Sequence, residues 1–440
     1  MSARQPGGSV LALTGGATWQ RTLPLHGDKS LSHRALLFGA MGSGITRLSG
    51  LSAGDDVRST ASCLSAMGAQ IELSGEGKAT VAGWGPDGPH EPVGPLDCGN
   101  SGTSLRLLSG LIAAYPIFAI LDGDASLRKR PQSRVLAPLA SMGCQVMARG
   151  GDRFAPVVLR GGSLRAYQGA PEVASAQVKS CLLLAGLGAG VEVRLREKGY
   201  TRDHTENMMR GLGVPLVSEG LEVYLPAGRF GWDGFRYEVP GDPSSAAFLV
   251  AAAVMGQRSK VRLENVCLNP TRLGFFEILR RMGAAIEITE TEQRMGEPVG
   301  VIEASSSALT ATTVEPHEVP GAIDEFPLLA VVATAATGTT VVRGAEELRV
   351  KESDRIGCVV SELSKLGASL TEAQDGFSVH GPCRLQGAAV ECHHDHRLEM
   401  SLAVAALQAE GRTILRNAGW ASVSFPEFWQ VYPGVMEPLE

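Results

Sequence analysis

One arrangement recurs six times in this chain of 440 residues and limits what it can fold into. A polar cluster opens an almost wholly apolar helical run. The copies are GDKSLSHRALLFGAMGSG, GNSGTSLRLLSGLIAAY, ASAQVKSCLLLAGLGAG, GDPSSAAFLVAAAVMG, IDEFPLLAVVATAATG and HHDHRLEMSLAVAALQAEG. Anchored on Lys29, Asn100, Ser175, Asp242, Asp324 and Asp395, they are spaced by 71, 75, 67, 82 and 71 residues. Helices apolar on nearly all sides are expected inside a domain, not on its surface. A strand-like segment follows each, such as IFAILDG or KVRLENV, and then a second helix. Five of these second helices end in Met67-Gly68, Met142-Gly143, Leu212-Gly213, Met282-Gly283 and Leu366-Gly367, where glycine supplies a left-handed cap. Alternating strands such as AQIEL and CQVMA come next. Each repeat therefore reads βαβαββ over roughly 70 residues. The sixth is expected to be cut short at FPEFWQVYPGV.

A chain of this length exceeds one ordinary core, and six repeats suggest two α/β domains of three repeats each. The expected crossings are Leu25 to Asp28 and Val239 to Asp242, both carrying Gly-Asp. Residues 27–240 then form an inserted domain, and 1–26 join 241–440 in the other. A cleft between the two is the expected site.

The formal net charge of −6 argues against a general nucleic-acid binder, so clustered Arg and Lys point to a small anion. Eight cysteines stand singly without a CxxC pair, which predicts a reducing, cytoplasmic setting. No apolar run reaches membrane-spanning length, and the N-terminus lacks the pattern of a signal peptide.

Reactive residue types concentrate where the six buried helices begin. They are Lys29/Ser30/Arg34, Asn100/Gly102/Arg106, Ser175/Gln177/Lys179, Asp242/Ser244/Ser245, Asp324/Glu325 and Asp395/His396/Arg397. Cations are poorly placed at a helix N-terminus, which is already positive, unless an anion docks there. Asn-Ser-Gly-Thr and Asp-Pro-Ser-Ser are also ordinary capping sequences. Further charge comes from SLRKRP (Arg128, Lys129, Arg130), YTRDHTE (Arg202, Asp203, His204) and LRVKESDR (Lys351, Glu352, Arg355). In the last, Lys351 and Arg355 are expected on one helical face with Glu352 offset. CHHDHR lacks metal-ligand spacing, so no metal is expected. No dinucleotide, P-loop or serine-elbow motif is present.

In order along the chain, GDKSLSHRALL, DCGNSGTSLRLLSG, GDASLRKRP, ASAQVKSCLLLAGL, TRDHTE, VPGDPSSAAF, IDEFPLLA, ELRVKESDR, DHRLEMS and SFPEF resemble 5-enolpyruvylshikimate-3-phosphate synthases, and more closely their second class. The resemblance implies a two-domain inverse α/β barrel with three repeats per domain. It implies transfer of the enolpyruvyl group of phosphoenolpyruvate to the 5-hydroxyl of shikimate 3-phosphate, without a cofactor. Lys29, Ser30, Arg34, Ser175, Ala176 (through its backbone), Gln177, Arg202, Asp324 and Lys351 would hold shikimate 3-phosphate. Lys29, Asn100, Gly102, Arg130, Gln177, Arg355 and Arg397 would hold phosphoenolpyruvate. Asp324 would accept the hydroxyl proton, and Glu352 with Lys29 would serve proton exchange at the methylene carbon. Glyphosate is the implied inhibitor and a monomer the expected state. Val423 stands where many members carry a lysine, and Leu107 where many carry a proline. A related reading is a UDP-N-acetylglucosamine enolpyruvyltransferase, although SLRKRP lacks that family's loop cysteine. A non-catalytic anion-binding protein of the same fold is the other.

Overall fold

A computed structural model describes residues 9–15, 18–25, 27–75 and 77–439. Among them, each repeat builds one four-stranded sheet, six in all. The second repeat is representative. Leu96–Asp97 lies parallel to Phe118–Asp122, which pairs antiparallel with Phe154–Arg160, and Gln145–Ala148 closes a hairpin on that strand. A parallel pair needs a crossover, here the buried helix Gly102–Ala113. The second helix, Ser133–Met142, leads into the hairpin.

The glycines after the second helices have φ of +103° (Gly68), +109° (Gly143), +84° (Gly213), +95° (Gly283) and +85° (Gly367), the left-handed cap that lets the chain turn into the hairpin. The first helices are buried as their composition requires. Every residue of Pro243–Met255 and of Phe326–Ala333 is inaccessible to solvent or nearly so. Small residues allow close approach: a Cβ on Gly110 would stand 2.1 Å from the carbonyl oxygen of Cys181 on helix Ala176–Ala189.

The chain divides into two units. One comprises Met1–Leu25, Gly241–Glu292 and Pro298–Glu440; the other comprises His26–Pro240 and Gln293–Glu297. At the two crossings the repeats trade strands. Gln20–Pro24 precedes the first buried helix, yet it pairs with Lys260–Cys267 of the fourth repeat. Arg236–Glu238 precedes the fourth buried helix, yet it pairs with Ile45–Ser49 of the first. In the second unit, Glu297 accepts hydrogen bonds from Asn207 and pairs with buried His204.

The sixth repeat is not cut short. Ser9–Thr14 lies between Arg412–Ala418 and Val435–Leu439, antiparallel to both, and so completes its sheet. Only its second helix is reduced, to Trp420–Val423 and Phe428–Val431. There buried Glu399 accepts from the amides of Gly419 and Trp420 and from Nε1 of Trp429, which pins the irregular segment to helix His396–Ala406.

Candidate active site

Helix caps and charged groups occupy adjacent positions at the helix starts. Asp28, Ser101, Asp242 and Asp395 accept hydrogen bonds from amides of the first turn; Ser101 and Asp242 bear out the capping reading of their motifs, and Asp28 and Asp395 cap in the same way. Lys29, Gly102 and Arg397 follow their caps directly or within two residues, whereas Asn100 precedes Ser101. Ala176 is the first residue of its helix, where backbone N–H groups lack intrahelical partners.

The second unit gathers one cluster. Lys29 Nζ pairs with Asp56 at 3.1 Å. Arg34, buried, donates through Nε to Thr205 Oγ1 (2.7 Å), through Nη2 to Ser180 Oγ (2.8 Å) and through Nη1 to the Ser30 carbonyl (2.9 Å). Burial lowers its pKa to about 10 against the opposing fields of Glu206, Asp28 and Glu297, while Arg202 adds to the lowering. Nearby His33 bonds Thr60, which bonds Ser104, tying three helices together; burial, then Lys29 and Arg34, hold the imidazole well below its usual pKa.

Arg130 donates to Asn100 Oδ1 (2.7 Å), and Asn100 donates to Asp124 (2.7 Å). Arg128 turns the other way, to a two-bond contact with Asp122 at 2.9 and 2.6 Å. Within SLRKRP the two arginines thus diverge, Arg128 to Asp122 and Arg130 to Asn100. Arg106 joins the parts: it bonds Gln177 Oε1, Gln132 Oε1 (3.1 Å) and the Pro131 carbonyl (3.2 Å). Gln177 also donates to Thr103 (2.9 Å). A Cβ on Gly102 would lie 3.4 Å from Arg130 Nη1 and 3.5 Å from Arg106 Nη1, so the glycine faces both guanidinium groups. Ser175 is the N-cap of helix Ala176–Ala189, and Arg202 lies two residues before helix His204–Gly211.

A second cluster lies in the other unit. Arg355 is fully buried and pairs with Asp395 (2.8 Å), Glu352 (2.7 Å) and Asp324 (3.5 Å). Burial alone would lower the pKa of this guanidinium; Asp395 and Glu352 overcome that and raise it. Burial would likewise raise Asp395, but Arg355 holds it below the usual carboxylate value. Arg397 lies 3.7 Å from Glu325 and over the Phe248 ring. Asp324 sits in a 3₁₀ turn, Ile323–Glu325, that enters helix Phe326–Ala333. Lys351 and Arg355 do not share a helical face. A 3₁₀ turn ends at Val350, Lys351 is extended, and the helix begins only at Arg355, capped by Asp354. Asp354 sets that boundary by accepting from the Gly357 amide, and Glu352 pairs with Arg355 from the non-helical segment before it. Burial lowers the Lys351 pKa and Arg355 adds to this, against Asp324, Glu347 and Glu352.

His393 Nε2 pairs with Glu362 while the His394 ring packs against Trp420, so the adjacent histidines diverge. Val423 is buried, and its position contributes no cation. Sequence reasoning assigned no role to Asp56, Ser180, Thr205 or Gln132. For Ser180 the available signal was a polar position inside an otherwise apolar helix, since a buried hydroxyl there needs a partner; Asp56, Thr205 and Gln132 lie in polar stretches without that signal.

The family profile for EPSP synthase (3-phosphoshikimate 1-carboxyvinyltransferase) matches residues 13–432. The chain belongs to the EPSP synthase family. The 3-phosphoshikimate 1-carboxyvinyltransferase of Shouchella clausii is 47% identical over 409 residues, 93% of this chain and 95% of that protein. The protein of the same name from Carboxydothermus hydrogenoformans is 46% identical over 421 residues, 96% and 97% of the two chains. An EPSP synthase structure from Acinetobacter baumannii aligns with a TM-score of 0.87 at 38% identity, over 98% of this chain and 100% of that one. The enolpyruvyl transferase NikO of Streptomyces tendae shares the fold, with a TM-score of 0.78 at 18% identity and 99% of each chain covered. The fold is thus the two-domain α/β architecture of enolpyruvyl transferases. Membership in the EPSP synthase family sets aside the nucleotide-sugar alternative.

Proposed function

We propose that this chain transfers the enolpyruvyl group of phosphoenolpyruvate to the 5-hydroxyl of shikimate 3-phosphate, releasing phosphate. The observation that carries the mechanism is the cluster of Asp324, Glu352 and Asp395 around buried Arg355. Protonation of the methylene carbon of phosphoenolpyruvate creates cationic character at its C2, which carboxylates stabilise until the hydroxyl oxygen attacks there, while guanidinium donors hold the leaving phosphate. Asp324 accepts the hydroxyl proton and Glu352 exchanges the proton at the methylene carbon. Lys29, Ser30, Arg34, Ser175, Ala176, Gln177, Arg202 and Lys351 hold the acceptor. Lys29, Asn100, Gly102, Arg130, Gln177, Arg355 and Arg397 hold the donor.

Phosphate release with phosphoenolpyruvate plus shikimate 3-phosphate, compared with UDP-N-acetylglucosamine as acceptor, tests the reading. Turnover only with the former is expected, falling by about 10²–10⁴-fold in Asp324→Ala. Binding without turnover in the wild-type protein would leave only an anion-binding role. A monomer is the proposed state, checked by sedimentation of the purified protein at assay concentration. The eight cysteines are all free, and no helix among the described residues is long and apolar enough to cross a membrane, which supports the cytoplasm as the working compartment.

Glyphosate is proposed to compete with phosphoenolpyruvate. The space around Gly102 admits a methyl group without collision with the protein. Gly102→Ala should therefore fold normally and raise the glyphosate inhibition constant. An unchanged constant would remove Gly102 from the inhibitor contact.

A further inference from the structure

Helices Ala176–Ala189 and His204–Gly211 are joined by two adjacent polar rungs. Lys179 Nζ pairs with Glu206 at 2.6 Å, and Ser180 Oγ bonds Thr205 Oγ1 at 2.6 Å. All four residues are buried. Glu197, itself bonded by Thr201, adds a second carboxylate to Lys179 at 2.8 Å. Burial of the ammonium would lower its pKa, but Glu206 and Glu197 overcome this and keep it charged. Four buried polar side chains are a demanding way to join two helices, because each loses its hydration and must find a partner.

The second rung has a further occupant. The Ser180 and Thr205 oxygens are the acceptors of Arg34 Nη2 and Nε, from residues 146 and 171 positions away. With Nη1 on the Ser30 carbonyl, three of the five N–H groups of Arg34 are engaged. One N–H on each terminal nitrogen remains, the number that a two-bond contact to a ligand oxygen pair requires.

We propose that Ser180 and Thr205 are positioning residues for Arg34, held in register by the Lys179–Glu206 pair, and that this ladder sets affinity for the phosphorylated acceptor. The inference rests on the proposed function, in which Arg34 holds shikimate 3-phosphate. Small apolar side chains could fill these positions, but they would offer the guanidinium no acceptor to fix its rotation.

Steady-state kinetics with each substrate varied in turn tests it. In Thr205→Val, which keeps the shape and removes the acceptor, the KM for shikimate 3-phosphate should rise roughly tenfold, as for a lost bond to a charged group. The KM for phosphoenolpyruvate and kcat should move less than about threefold, and Thr205→Ser should restore the acceptor KM. A structural role alone would lower the melting temperature or active fraction without separating the two KM values, or would leave both unchanged; either result overturns the proposal. If Thr205→Val does not fold, Ser180→Ala removes the Nη2 acceptor and is judged by the same separation. Failure of the wild-type protein to turn over shikimate 3-phosphate would instead count against the assigned reaction.

Discussion

Lys29 and Lys351 illustrate two ways of holding a cation for use. Lys29 is anchored on Asp56, so its ammonium has a fixed position and a partner carboxylate from the next helix. If it spans both substrates, Lys29→Ala should lower kcat by at least about 10²-fold as well as raise both KM values. Loss of affinity alone would make it an anchor. Lys351 is held by desolvation, which disfavours its charged form. A lysine with a lowered pKa loses its charge earlier as pH rises. The KM for shikimate 3-phosphate should therefore begin to climb at a lower pH than an ordinary lysine would dictate. Lys351→Arg, charged throughout, should shift that climb upward. A KM profile identical in the two proteins would remove Lys351 from the acceptor site. At this scale the sequence exposed residue types but not partners. Arg34 was legible as a misplaced cation, whereas its acceptors lie far along the chain and look like ordinary helix-interior hydroxyls. Lys351 and Arg355 appeared to share a face only because a helix was assumed to begin before Arg355.

Among elements, the repeat was readable because both its helices announce their ends: polar caps at the buried helices, glycine at the second ones. The glycines do different work, and two substitutions separate the causes. Gly213 has φ of +84° and open space around the position of a Cβ. Gly213→Ala should therefore cost about 1 kcal/mol, from backbone conformation alone. Gly110 sits in a helix, where its backbone is ordinary, but a methyl group would collide with the Cys181 carbonyl. Gly110→Ala should destabilise by more, on the order of 3 kcal/mol or beyond, because two buried helices must separate. Urea unfolding of the two variants measures the difference, and equal losses would contradict the distinction. The completed sixth sheet was not readable. Its missing strand comes from residues 9–14, and no local pattern names a partner some 400 positions later.

For the whole molecule, the strand exchange makes one unit nearly contiguous and the other not. Residues 26–240 contain all the strands of their own three sheets, including the traded Arg236–Glu238. Expressed alone, this segment should unfold cooperatively, at lower stability than in the full chain because His204 and Asn207 lose Glu297. Non-cooperative melting followed by circular dichroism would show that it is not an independent folding unit. Residues 241–440 alone lack Gln20–Pro24 and Ser9–Thr14, so two of their sheets are incomplete. The same connectivity orders events on the ribosome. Ser9–Thr14 is made long before its partners, Arg412–Ala418 and Val435–Leu439. At about 5–20 residues per second, that strand waits tens of seconds while the inserted unit can already fold behind it. Ser9–Thr14 is therefore an unpaired strand for as long as the intervening repeats are being made, and only the arrival of Arg412–Ala418 and Val435–Leu439 hides it.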